Sequence, residues 1–225
     1  MFTPDFRYVL DTLTGKPTNR PVMVELGGVH SKLIRQFCGD KYREGVTPDD
    51  FAVNWMHSHK AAGFDCLKTS PRNSFYLPRP HFNRKQTISW NENVIEDWEE
   101  LEAYPWPWPR EQPMDMLDAF ERHRVDGMGV LVSGSCGLIE NAIVLAGYDN
   151  LCLKTYDDPT FVAELFKRIG ERVYEFYDLA LQHPATDAII MNDDWGFKNQ
   201  TFFSPSSCGP TPSPGTEKSP PGRMN

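Results

Sequence analysis

Asp187-Ala-Ile-Ile-Met-Asn-Asp-Asp-Trp-Gly196 is the stretch on which the fold turns. Ala188, Ile189, Ile190 and Met191 form a short unbroken apolar run, the pattern of a parallel strand buried on both faces. Asn192, Asp193 and Asp194 then fall at the carboxyl end of that strand, where α/β folds place their chemistry. The same residues would equally cap the segment that follows, because Asn and Asp side chains bond nearby backbone amides. A functional and a purely structural role both stay open at this point.

Working outward, Phe64-Asp-Cys-Leu-Lys-Thr69 and Met128-Gly-Val-Leu-Val-Ser133 read as further buried strands, and Pro21-Val-Met-Val-Glu-Leu26 as the first of the set, ending at Gly27-Gly28. Helical patterns lie between them. Ser31 to Phe37 is followed by Pro48 to Ala62, which has Pro at an amino-terminal position and Gly63 past its last turn. Asn93 to Glu102, Pro113 to Val125 and Leu138 to Ala146 follow. The longest helix runs from about Pro159 to Gln182, with Phe161, Leu165, Ile169, Val173, Phe176 and Ala180 on one apolar face. Strands alternating with helices predict a parallel α/β sheet or barrel. Tyr104-Pro-Trp-Pro-Trp-Pro109 forbids regular helix or central strand, and its Trp106 and Trp108 read as packing or lid residues. The polar, aromatic region Pro71 to Trp90 reads as a hairpin or lid, with Phe75, Tyr76 and His81 placed to line its mouth.

Composition narrows the class. The chain has 225 residues, 40% hydrophobic and 24% charged, as in a globular protein able to bury a sizeable core. A net charge of -8 argues against a nucleic-acid partner, which needs a basic surface. No apolar run is long enough to span a bilayer and the amino terminus has no signal-like core, so no membrane partner is expected and cytoplasm is the expected location. Five cysteines at scattered spacings suit neither a disulfide framework nor a zinc clip. Most of them read as reduced and buried as small hydrophobes.

The residues quoted so far, taken in order, resemble the uroporphyrinogen decarboxylase superfamily. Its marks here are Glu102-Ala-Tyr-Pro-Trp-Pro107, the run from Gly147-Tyr-Asp-Asn-Leu151 to Tyr156-Asp-Asp-Pro159 leading into the long helix, and Asn192-Asp-Asp-Trp-Gly196 with Phe203-Ser-Pro205. The resemblance covers most of residues 20–205 and implies a (β/α)8 barrel of the TIM type, incomplete here because the later strands are missing. It implies a partial barrel domain over residues 1–205. Residues 206–225 form a Pro/Ser/Gly-rich tail that is too poor in apolar side chains to cover a core and is expected to be disordered. Codons allowed for Ser206 to Gly222, read one nucleotide earlier, are compatible with a further helix, so the tail is expected to reflect a frameshift.

The family's two branches make different demands. Its porphyrin decarboxylases hold an anionic tetrapyrrole with arginines after the first strand. Here that place reads Glu25-Leu-Gly-Gly-Val-His30, and Arg35-Gln36 lies further on without the motif. Its methyltransferases use zinc held by a His-x-Cys pair and a distant Cys on later strands, to activate a thiol. No metal site or cofactor is therefore expected in this chain, although zinc is possible in a full-length homologue. His57 and His59 do not replace the set, since positions i and i+2 of a helix face apart.

The candidate catalytic residues are Asp193, Asp194 and Glu25, for substrate hydrogen bonding or proton handling. Asn192, Trp195 and Cys136 are candidate substrate-binding residues, Cys136 because Ser133-Gly-Ser-Cys-Gly137 resembles a strand-to-helix elbow where a thiol pKa falls. Three functional readings follow. The first is an enzyme-family barrel acting on a tetrapyrrole substrate or a methyl group carried by a corrinoid protein, with methyl transfer favoured. The second is an inactive fragment, and the third a binding module for a tetrapyrrole or small anion without turnover. The oligomeric state is left open.

Overall fold

The computed structural model describes residues 2–25, 27–70, 94–134 and 137–203. Among them the helices are α1 (Arg7–Leu13), α2 (Ser31–Cys38), α3 (Pro48–Ala62), α4 (Trp98–Ala103), α5 (Asp115–Arg122), α6 (Leu138–Ala146), α7 (Tyr148–Asp157) and α8 (Pro159–Gln182). The strands are β1 (Cys66–Thr69), β2 (Gly129–Ser133), β3 (Ala188–Ile190), β4 (Gly196–Phe197) and β5 (Gln200–Thr201). The architecture is mixed α/β.

Strands β1, β2 and β3 form a parallel sheet in chain order, with Leu67 opposite Val130 and Val132 opposite Ile189. Parallel neighbours need long crossovers. Helices α4 and α5 supply the first, and α6, α7 and α8 the second. Side-chain alternation divides the sheet into two apolar faces. Leu67, Val130, Val132 and Ile189 enter the main core, whose largest buried side chains include Phe120 from α5 and Phe161 from α8. Cys66, Leu131, Ala188 and Ile190 face the other way, onto Phe6, Val9 and Val22.

The helix termini follow local chemistry. Thr47 and Asp50 form a reciprocal capping box at the start of α3, Pro48 opens it, and Gly63 ends it in the left-handed region at φ 90°. Asp158 caps α8 through the amide of Phe161 at 3.1 Å. The six stripe residues of α8 are all buried, together with Arg172 and Tyr177, which lie outside the predicted stripe.

Several expectations are corrected. The segment from Pro21 to Glu25 is not a strand. One backbone bond links it to the residue before β1, from the amide of Asp65 to the carbonyl of Met23 at 3.2 Å. β3 is half-exposed rather than buried on both faces, and among the described residues no strand pairs its outer edge. Helix α4 begins only at Trp98, after an irregular stretch whose Val94 and Ile95 amides donate to the carbonyl of Leu145. Phe75, Tyr76, His81, Cys136 and the tail from Ser206 lie outside the described residues.

The amino terminus, read from sequence only as lacking a signal core, forms a strap across the amino end of the sheet. Buried Asp65 accepts from Arg20 at 2.5 and 2.7 Å and from the amide of Asp5 at 2.9 Å. The Arg20 guanidinium also lies over the rings of Phe2 and Tyr8. Gly127, at φ 78°, lets the strap pass closely, since a methyl group there would lie 2.0 Å from the carbonyl oxygen of Pro4.

Candidate functional site

Parallel strands deliver their carboxyl ends to one edge of the sheet, and here those ends are Thr69, Ser133 and Ile190. Tyr177 joins two of them. Its hydroxyl accepts from the amide of Gly134 at 2.8 Å and donates to the carbonyl of Ile190 at 2.9 Å, so α8 pins the exits of β2 and β3. The Ser133 hydroxyl, buried at the end of β2, donates to the carbonyl of Gly134 at 3.1 Å and approaches Oδ1 of Asn192 at 3.4 Å. Sequence reading missed Tyr177. Its position next to Phe176 on the apolar face was the available signal, because a buried Tyr hydroxyl ordinarily finds a polar partner.

Asp193 has a defined job. Oδ2 accepts from the amide of Ile139 at 3.0 Å and Oδ1 from the amide of Glu140 at 3.2 Å. Gly137 at the start of α6 has no side chain with which to cap the helix, so Asp193 supplies the cap from a distant part of the chain. A carboxylate is favoured there by the free amides and by the positive end of the helix dipole. Gly137 is also what makes the approach possible, because a methyl group at that position would lie 2.1 Å from the Asp193 carboxyl carbon.

The neighbouring carboxylate points elsewhere. Asp194 is exposed, and its Oδ1 accepts from the amide of Gly196 at 3.2 Å within its own turn. Trp195 is 37% exposed, and its carbonyl receives the Phe202 amide at 2.9 Å, which starts the β4–β5 hairpin. Met191 and Phe197 are exposed on the same loop. The adjacent carboxylates therefore split as backbone neighbours do, one inward and one outward. Asn192, Asp194 and Trp195 are the groups this loop presents to solvent.

Glu25 does not join them. It precedes Gly28, which packs against Trp55 beside β1, the strand at the other edge of the sheet from β3. Its Oε1 accepts from the amide of Gly27 at 2.6 Å.

A cleft of about 690 Å³ is at the other end of the sheet, where Arg7, Arg20, Arg124, Asp5, Asp126 and Asp187 line it. Its three arginines are already paired. Arg124 meets Asp187 at 2.7 Å, Arg7 meets Asp5 at 2.6 Å, and Arg20 is held by Asp65. It is better read as the strap's anchorage than as a substrate site.

Trp106 and Trp108 are packing residues, as expected. Trp106 is buried and its indole donates to the carbonyl of Leu101 at 2.8 Å. Both indoles lie against the buried Arg172 guanidinium, at 5.1 and 4.2 Å, and Arg172 donates to the Trp106 carbonyl. Cys38 and Cys66 are free and buried, and burial pushes the Cys66 thiol up to about 12. Among the described residues no three His, Cys, Asp or Glu side chains converge as a metal-binding group, and no helix is long and apolar enough to cross a membrane.

No family model matches this chain, and neither a curated protein nor a solved structure shows significant likeness to it.

The geometry separates the two aspartates experimentally. Asp193→Ala is expected to lower stability by about 1–2 kcal/mol through loss of the cap, whereas Asp194→Ala should change it by less than about 0.5 kcal/mol, as at an ordinary surface position. Urea denaturation of both variants checks this. Equal effects would remove the assignment of Asp193 as the cap.

Proposed function

We propose that this chain is the leading part of a barrel of the uroporphyrinogen decarboxylase kind, and that the loop from Asn192 to Trp195 binds a tetrapyrrole-derived group. Methyl transfer from a corrinoid protein is favoured over decarboxylation of a porphyrin. The observation that supports this most directly is the chain-order parallel sheet, whose crossovers bring Asn192, Asp194 and Trp195 to the carboxyl edge. Barrel enzymes carry their chemistry at that edge. Trp195 offers a flat apolar surface, and Asn192 an amide that both donates and accepts.

Charge favours one branch over the other. A porphyrin polycarboxylate needs cations, and among the described residues Arg20 and Arg124 are at the amino end of the sheet and already paired. Arg35 of α2 is paired with Glu44 at 3.1 Å. No step of this reading passes through zinc. The buried His59 and the half-exposed His57 do not converge on one point, and Nδ1 of His59 is already engaged by a backbone carbonyl.

A second reading has its own support. Asp193 caps a helix and Asp194 closes a turn, so neither has the isolated, buried setting that prepares a carboxyl group for proton transfer. That favours binding without turnover.

Absorption titrations of the full chain with methylcobalamin and with uroporphyrin test the proposal. Methylcobalamin should bind, and Asn192→Ala should weaken it about tenfold, as for the loss of one good hydrogen bond. Preferential binding of uroporphyrin would return the decarboxylase branch to favour. A chain that binds neither probe has no site of this kind. Bound methylcobalamin that stays methylated with a thiol present would select the binding module.

A further inference from the structure

His59, on the last turn of α3, is fully buried. Its Nδ1 lies 2.7 Å from the carbonyl oxygen of Trp55, an arrangement that only a protonated Nδ1 can satisfy. In the neutral ring, Nε2 is then an acceptor, and it has no hydrogen-bond partner. The ring is walled by Trp55 and Phe64, with centroids at 4.9 and 5.7 Å.

Two neighbours connect this imidazole to the turn beyond Glu25. The Trp55 indole donates to the carbonyl of Lys68 on β1 at 3.0 Å, and its six-membered ring abuts Gly28. Gly28 has φ 81°, and a methyl group there would lie 2.3 Å from Cζ2 of Trp55. From the other side Glu25 holds the amide of Gly27 at 2.6 Å. The turn is therefore clamped between an indole that touches His59 and a carboxylate whose field reaches it.

We propose that His59 is a proton-operated latch on the Gly27–Gly28 turn. In the neutral state the ring packs among aromatics and the clamp is closed. Protonation places a second N–H at Nε2, where the closed state supplies no hydrogen-bond partner. Glu25 is then drawn from the Gly27 amide towards the imidazolium, and the turn opens at the carboxyl edge of the sheet.

Asp65 is held by Arg20, and Asp49 at the far end of the helix by Arg122 and His123. Lys60, next along α3, adds a like charge. Burial lowers the His59 pKa from 6.5, opposed by its bond to Trp55 and by Glu25, so the ring is neutral at pH 7. The unfolded chain takes up this proton first. Stability is complete above 6.5 and falls as pH drops through that value and then through the lower folded one.

The test uses the full chain labelled with 5-fluorotryptophan, its six tryptophans resolved by 19F NMR and the Trp55 signal assigned with Trp55→Phe. The Trp55 resonance and the hydrogen-exchange protection of Gly27 and Gly28 should change together below pH 6.5. Protection should fall at least tenfold while far-UV circular dichroism stays constant. His59→Phe should abolish the transition, and Glu25→Gln should move it to lower pH by removing the charge that favours the imidazolium. If His59→Phe does not fold, the His59 Cε1 proton signal of the wild-type chain replaces it. Titration of that signal without change at Trp55, Gly27 and Gly28 overturns the latch, as does a transition that survives in His59→Phe.

Discussion

Asp65→Ala is expected to destabilise the chain by about 3 kcal/mol, the lower end of what breaking a buried ion pair costs. The lower end applies because Arg20 is 28% exposed and regains some hydration once alone, whereas Asp65 is fully enclosed. The loss is more than electrostatic. The same carboxylate receives the amide of Asp5, and Arg20 stacks on Phe2 and Tyr8, so one substitution removes the anchor of the whole strap. Phe6 and Val9 then lose their hold over Cys66 and Leu131. Urea denaturation reads the energy, and limited proteolysis should cut near the amino terminus of the variant before the wild type. The double substitution Arg20→Met with Asp65→Leu should recover most of the stability, because an apolar pair has no charge to leave stranded. A loss below about 1 kcal/mol in Asp65→Ala would mean that the strap is held by its apolar contacts alone.

That anchor shows where the sequence is hard to read. Asp65 lies in Phe64-Asp-Cys-Leu-Lys-Thr69, which reads as a strand from its apolar residues, and β1 is indeed Cys66–Thr69. Nothing local says that this aspartate is paired with Arg20, 45 positions earlier. Periodicity located β1, β2, β3, α3, α6 and α8 because each element's own residues decide its character. The same reasoning failed at Pro21–Glu25. There an apolar run meets the residue before β1 through a single backbone bond, with Met23 and Val24 49% and 42% exposed. A run of apolar residues specifies a strand only if a partner backbone is there to pair with it.

The candidate site was legible to the same extent. The place was found, because the carboxyl end of β3 follows from the run Ala188 to Met191. The roles within it were not, because they depend on what comes from elsewhere. Asp193 reads identically as a catalytic acid or a cap until the amides of Ile139 and Glu140 are seen beside it. Glu25 and Asp193 both stood at expected strand ends, but Asp193 follows β3 whereas the Glu25 segment is no strand of the sheet. The (β/α)8 barrel, incomplete in this chain, remains an expectation of the resemblance, whereas the three parallel strands are observed.

Gly137→Ala is expected to cost about 2–4 kcal/mol, since it adds the strain of overpacking to the loss of a helix cap. The residue's φ of -81° is open to any amino acid, so the penalty does not come from the backbone. It comes from Asp193, whose carboxyl carbon lies 2.1 Å, and Cβ 2.2 Å, from where the new methyl group would sit. Asp193 must withdraw, leaving the amides of Ile139 and Glu140 without their acceptor and displacing the Asn192–Trp195 loop that Asp193 fixes. The variant therefore separates stability from function at a residue that can contact no ligand through a side chain of its own. If Asn192 and Trp195 bind a flat macrocycle, Gly137→Ala should weaken methylcobalamin as strongly as Asn192→Ala does, while Asp193→Ala, which removes the cap without adding a clash, should weaken it less. The double variant Gly137→Ala with Asp193→Gly removes both clashing atoms and should be more stable than Gly137→Ala alone. Denaturation and absorption titration of the four proteins measure both effects, and a Gly137→Ala chain of wild-type stability would mean that Asp193 does not lie against α6.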